Sequence, residues 1–395
     1  MITRAGSISA TCDNRHQKMI YLDHAATTPM RPEVWDAMAP FVSDVFGNSS
    51  GIHDVSRRAK NSLEEARERI AELVGSGPME IVFTSGGTES DNLAIKGAAL
   101  NGTDRTSVVT VATEHEAVLE TADFLSRSGH DTSLIPVDRH GAVDPGHLTA
   151  AVDARTAVVS VMLVNNETGA IHDLKTISNA VHDADPGVLV HSDAAQAMTS
   201  LPVDVDALGV DLMTASGHKF GGPKGAGFLY VRDGTHLEPV LHGGGQELGR
   251  RSGTHDVAGA VGLATALELA VADRERFVHV VSQLRDDLEK RLTAGIEDLV
   301  VNTPETARSP HHLNVRIPGV RNETLLMRLD QDGVAASAGS ACQSGAATVS
   351  HVLEAIGLSA SEARESVRFS LGWTTTAVEM EDAASILIRL VEDLR

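Results

Sequence analysis

Apolar residues fall along this chain in two rhythms. Short, nearly unbroken apolar runs occur at 81–84, 107–112, 157–164, 188–190, 210–215 and 228–231. Runs that do not alternate suit strands buried on both faces, so the pattern predicts a mainly parallel sheet covered by helices. Between the runs the spacing turns helical. Leu63, Ala66, Ile70 and Leu73 mark a helix from Ser62 that stops at Gly75, and helices are expected near 32–41, from Thr88 to Leu100 and over 174–184. After residue 257 an Ala- and Leu-rich helix to about Ala272 leads to a second long helix ending near Leu292. Strands follow at 312–317 and 367–371, and Thr376 with Glu379 forms a capping box for a last helix carrying Ala384, Leu387, Val391 and Leu394 on one face. At the other end, Tyr21 opens a short strand that turns into a loop.

Polar residues gather where the strands of this sheet end: Gly87 and Thr88, His115, Asn166, Asp193 and Gln196, then Ser216, His218 and Lys219. In an open parallel α/β sheet the ligand crevice lies outside the carboxyl ends of the strands, where these residues converge. The strand, Gly86-Gly87 turn and helix start at Thr88 offer backbone N–H groups and a dipole end suited to a phosphate. Lys219, just past a buried strand and surrounded by small residues, is placed to form a Schiff base with a carbonyl cofactor.

A length of 395 residues exceeds what one core accommodates and implies two domains. We expect a large domain over 31–265 and a smaller α+β domain built from 19–30 and 266–395, with 1–18 a mobile extension. The net charge of −21 opposes direct nucleic-acid binding. Cys12 and Cys342 are too few and too distant for a disulfide framework or a thiolate zinc site, so no metal is expected. No secretory leader or apolar run long enough to span a membrane is visible, which points to the cytoplasm.

With these residues in view, the chain resembles the cysteine desulfurases of the NifS/IscS type, within the class V aminotransferases of pyridoxal 5'-phosphate (PLP) fold type I. The motifs YLDHAATT, FTSGGTESDN, TEH, NNETG, HSDAAQ, SGHKFGGPKG, GGGQELGRRSGT, SAGSACQSG and VRFSLG stand in the family's order, covering nearly the whole chain from Tyr21. The resemblance implies that Lys219 carries PLP, that Asp193 pairs with the ring nitrogen and that His115 stacks on the ring and moves protons at the substrate thiol. It further implies that Asn166 and Gln196 bond the ring's phenolic oxygen, and that Gly87, Thr88, Ser216 and His218 hold the phosphate. By the same resemblance Thr254 reaches the cofactor of a partner subunit in a homodimer with shared sites, and Arg368, assisted by Asn48, grips the substrate carboxylate. Cys342, flanked by small residues, would be the nucleophile that takes sulfur from L-cysteine as a persulfide and leaves L-alanine. An acceptor protein would then carry the sulfur to iron–sulfur cluster assembly, tRNA thiolation or DNA phosphorothioation. The alternative activity is that of a selenocysteine lyase or another class V aminotransferase. Departures from the family pattern are Ser49, Gly51, Ser56, Glu116 and Trp373, which bear on local stiffness or acceptor docking.

Overall fold

The computed structural model describes residues 19–339 and 349–395. The terminal extension expected over 1–18, Cys12 and Cys342 therefore lie outside the described residues.

A seven-stranded sheet runs in spatial order Ile81–Thr84, Gly227–Val231, Leu212–Ser216, Leu189–Asp193, Thr156–Ser160, Ser107–Val111 and Thr132–Ile135. The last five are mutually parallel, whereas Gly227–Val231 lies antiparallel to both its neighbours. Helices cover both faces, as continuous apolar strands require. This is the architecture of PLP fold type I, large mainly parallel sheet and smaller α+β unit together.

Four local expectations change. The helix expected from Ser62 begins eight residues earlier and spans Asp54–Val74; His53 caps it by accepting from Ser56 N at 3.3 Å, and its polar first turns hide only Ser56 and Ala59. The apolar run 157–164 pairs as a strand only over Thr156–Ser160. Its remainder stays buried and bonds on to the neighbouring strand through Val161 N to His191 O and Leu163 N to Asp193 O. Edge strand Thr132–Ile135, half polar, gave no apolar run to find. The two helices expected after residue 257 are one helix of 39 residues, Val257–Gly295, because nothing between them breaks the helical backbone.

That helix serves two cores. Its residues from Val257 to Ala270 pack under the large sheet, and Phe277, Val281, Leu288 and Leu292 pack with the antiparallel strands His312–Arg316 and Ser366–Ser370 and the closing helix Ala377–Leu394. Each fully buried Leu or Val contributes on the order of 1.5–3 kcal/mol. Ile20 and Leu22 belong to this second core, and Ile20–Tyr21 pairs in parallel with Val334–Ala335. From Ile20 onward the chain thus leaves the smaller unit, crosses the larger one and returns.

Candidate active site

Three parallel strands deliver their ends to one place. Leu212–Ser216 runs into a short turn, Gly217–Lys219, that sets the Lys219 ammonium against two backbone carbonyls, Ala25 O at 2.6 Å and Ala26 O at 3.0 Å. Leu189–Asp193 ends in Asp193, 6 % exposed, whose Oδ1 accepts from Ala195 N at 2.8 Å. Beyond Ser107–Val111, His115 caps the helix Glu116–Arg127 by accepting from Ala117 N on Nδ1 at 3.1 Å. On the other side, the strand Ile81–Thr84 passes into the helix Gly87–Ala99 through Gly86, whose φ of 139° is open to glycine alone. A methyl on Gly227 would stand 2.7 Å from Gly86 Cα, so the turn lies directly on the neighbouring strand.

These ends enclose a cavity of about 200 Å³ lined by Gly87, Thr88, Asp91, His115, Asn166, Asp193, Gln196, Ser216, His218 and Lys219 among others. Every cofactor-site residue expected from the sequence except Thr254 is there. A second cavity of about 250 Å³ is lined by Ala25, Ala26, His115, Asn166, Glu167, Lys219, Gly339, His351 and Arg368. The two share His115, Asn166 and Lys219. An amine therefore stands at the junction between a chamber with a helix N-terminus and a chamber with a guanidinium.

Burial sets the electrostatics. Loss of water pushes Lys219 down to about 8, and the nearby Arg368 cation adds to this. Burial also lowers His115 and brings His218, beside Lys219, down to about 4, so both rings are neutral near pH 7. Asp91, 1 % exposed, is raised by burial and by Asp193, and both its oxygens lack hydrogen-bond partners. Glu114 rises to about 8 for the same two reasons. Burial beside Asp193 thus favours the protonated form both of Asp91 in the wall of the first cavity and of Glu114 outside it.

Arg368, 3 % exposed, donates to Asp23 Oδ1 at 2.6 Å and to Asn166 O at 2.8 Å, while its Nε is left without a partner. The arginine lines the second cavity, is anchored on two sides and keeps N–H groups uncommitted, as a carboxylate-binding arginine must. The Asn166 side-chain oxygen is likewise buried and unpartnered.

Two expected residues stand elsewhere. Thr254 lines a separate cavity of about 90 Å³ with Arg251 and His255. Asn48 is exposed, its Oδ1 accepting from Ser50 N at 3.0 Å, and the adjacent Ser49 Oγ lies 2.9 Å from His255 Nδ1. The loop after residue 242 is turned away by left-handed backbone at Glu247 and Leu248 and fastened by Glu247, which accepts from Arg67 at 2.8 Å through both oxygens, from Phe83 N at 2.9 Å and from His255 at 2.8 Å. Within one chain, neither Thr254 nor Asn48 lines the Lys219 cavities.

The sequence reading assigned no role to Asp23, Asp91, Glu167 and His351, all of which line or brace the site. Asp23 lies inside the motif YLDHAATT, and an acid directly after a strand was the signal available.

The chain matches the model of the family described as Aminotransferase class-V over residues 20–382. It is 43 % identical over 380 residues to a protein named cysteine desulfurase IscS from Dictyoglomus turgidum, covering 96 % of each chain. Among solved structures, a NifS-like protein superposes with a TM-score of 0.89 at 34 % identity, covering 95 % of this chain and 100 % of that one. One described as SspA in complex with cysteine gives a TM-score of 0.78 at 36 % identity, covering 89 % and 98 %. Carrying the family's motifs at the ends of the strands that build both cavities, this chain belongs to the cysteine desulfurases of the class V aminotransferase family.

Proposed function

We propose that the protein converts L-cysteine to L-alanine, with PLP as cofactor, and passes the sulfur to Cys342 as a persulfide for delivery to an acceptor protein. The observation that carries the reading is the junction of two cavities at Lys219, one fitted for an anionic aromatic aldehyde and the other for an amino-acid carboxylate. The fit to PLP rests on the glycine turn and helix start at Gly87 and Thr88 for a phosphate, the buried Asp193 for a ring nitrogen and the orphaned Asn166 oxygen beside Gln196. When bound, PLP supplies an electron sink for the substrate Cα.

The chain's own groups perform the rest. Arg368 orients the substrate carboxylate with the donors that Asp23 and Asn166 leave free. Lys219, its basicity reduced by burial, moves the Cα proton. Neutral His115 presents an N–H at the mouth of both cavities, where it bonds the substrate sulfur. Ser216 and His218 complete the phosphate end. Thr254 and Asn48 act across a homodimer, each completing the site of a second copy, because their own chain holds them away from Lys219. No helix among the described residues is long and apolar enough to cross a membrane. The low cysteine content supports a cytosolic setting. Iron–sulfur cluster assembly, tRNA thiolation and DNA phosphorothioation are the three outlets for the persulfide, to be separated by the acceptor that captures it.

The test is the holoprotein incubated with L-cysteine and dithiothreitol, wild type beside Cys342→Ala. Equal alanine and sulfide from the wild type, both lost in the variant while the visible band of the bound cofactor remains, is the expected result. Product formation that survives the substitution would instead favour a lyase or aminotransferase.

A further inference from the structure

Two backbone carbonyls hold the Lys219 amine, Ala25 O at 2.6 Å and Ala26 O at 3.0 Å. A neutral amine has two N–H groups and one lone pair. With both N–H groups on these carbonyls, the lone pair is the part left for a substrate. The carbonyls themselves are tied from both sides. Ala25, 2 % exposed, donates its N–H to the buried Ser370 Oγ at 2.9 Å, and its oxygen also accepts from Gln196 Nε2 at 2.9 Å. Ala26 N donates to Asp23 O at 3.1 Å. Two residues on, Thr28 donates to His218 O through N at 2.9 Å and through Oγ1 at 2.8 Å, one position before Lys219. The loop is therefore fixed to the smaller unit through the strand Ser366–Ser370 and to the larger one through the turn that carries the amine.

We propose that the carbonyls of Ala25 and Ala26 act in catalysis as a cradle for the Lys219 amine, with Ser370 as the residue that positions them. The proposal rests on the reading above, in which Lys219 moves the substrate Cα proton. In that step the Cα–H bond breaks, the proton joins Nζ and the electron pair stays with the substrate. Nζ thereby changes from an amine with a lone pair into an ammonium with three N–H groups. The positive charge develops at an atom that already lies 2.6 and 3.0 Å from two carbonyl oxygens, and both hydrogen bonds strengthen as it forms. The arrangement inverts an oxyanion hole: acceptors, rather than donors, are fixed in advance where charge appears, so nothing need reorganise to meet it.

Two changes weaken the cradle separately. Replacing residue 26 by lactic acid turns the Ala25 carbonyl into that of an ester, a poorer acceptor, but also gives up the Ala26 N–H bond to Asp23 O. Ser370→Ala keeps that bond and releases the Ala25 N–H instead. In the holoprotein, exchange of the Cα proton of L-alanine with D2O involves no sulfur step. It is expected to slow by about tenfold in the ester, the worth of a hydrogen bond to a charged group, and by about threefold or more in Ser370→Ala. KM for L-cysteine, PLP retention on dialysis and the far-ultraviolet circular dichroism should stay at wild-type values. In apoprotein, the pH at which the rate of PLP uptake levels off, about 8, should fall in both variants because the ammonium loses acceptors. The charged and titratable groups around the amine, Arg368, Asp193, Asp23, His115 and His218, are the same in both. Exchange by the ester within about twofold of wild type, or a levelling pH that stays or rises, would overturn the cradle. So would parallel loss of exchange, PLP retention and circular dichroism, which marks a structural role. A wild type that exchanges the Cα proton but forms no alanine from L-cysteine would overturn the desulfurase reading, while slowed exchange in the two variants would still support the cradle.

Discussion

The environment of Lys219 makes a quantitative prediction about how the protein acquires its cofactor. Only the neutral amine condenses with an aldehyde, so the rate of uptake by apoprotein follows the uncharged fraction of Lys219. Burial, with Arg368 nearby, takes the group from 10.5 to about 8. At pH 7 about one molecule in ten then carries a neutral amine, against about one in three thousand for an unshifted lysine, a gain of roughly 300-fold. The experiment is stopped-flow reconstitution of apoprotein with PLP from pH 6 to 10, followed by the visible absorbance of the Schiff base. The rate should climb about tenfold per pH unit up to about 8 and then level off. Arg368→Gln removes the second cause of the shift, so its plateau should move to higher pH while burial still holds it below 10.5. A wild-type rate that keeps rising through pH 10 without a break would refute the reasoning, since it would mean that water reaches Lys219 freely. An Arg368→Gln plateau unmoved from wild type would refute the electrostatic part alone.

Two further outcomes follow from the packing around the site. Glu247 answers Arg67 through both oxygens inside the protein, and removing one partner of such a buried pair costs about 3–5 kcal/mol, so Glu247→Ala should lower unfolding stability by that amount in urea titrations at pH 7. Its carboxyl is depressed from 4.5 to about 2, chiefly by Arg67 and His255 acting against burial. The stabilisation is therefore complete above about 4.5 and lost as pH falls through about 2, and the gap between wild type and variant should close across that window. Gly227→Ala places a methyl 2.6 Å from Ala215 O and 2.7 Å from Gly86 Cα. Both are backbone, so the phosphate turn must shift, and PLP retention on dialysis should weaken by about tenfold or more while the far-ultraviolet circular dichroism stays unchanged.

Much of this was legible in the chain. The strands could be found because a sheet buried on both faces writes itself as continuous apolar runs, and the site could be found because its residues follow those runs one after another. Thr132–Ile135 escaped because an edge strand needs no such run. Asp23 and His351 escaped for a different reason. Their importance comes from what they touch across more than two hundred positions of sequence, Arg368 for one and Glu114 O for the other, and no local spacing encodes such a contact. Thr254 and Asn48 show the converse, since their motifs are plain in the sequence while their surroundings in a single chain give them nothing to bind.

The return of the chain to its starting unit bears on how it is made. Ile20 must wait for Val334, about 310 residues later, before its ladder can close, and at synthesis speeds of ~5–20 residues per second that is roughly a quarter of a minute to a minute. During that interval the large sheet can be complete while Ile20 and Leu22 remain uncovered. The smaller core closes only when the helix Ala377–Leu394 is made, and Asp23 gains its Arg368 partner no earlier than residue 368 is added. Lys219 can be in place for its aldehyde before that moment, but a substrate carboxylate has no anchored partner until Arg368 has been added and meets Asp23.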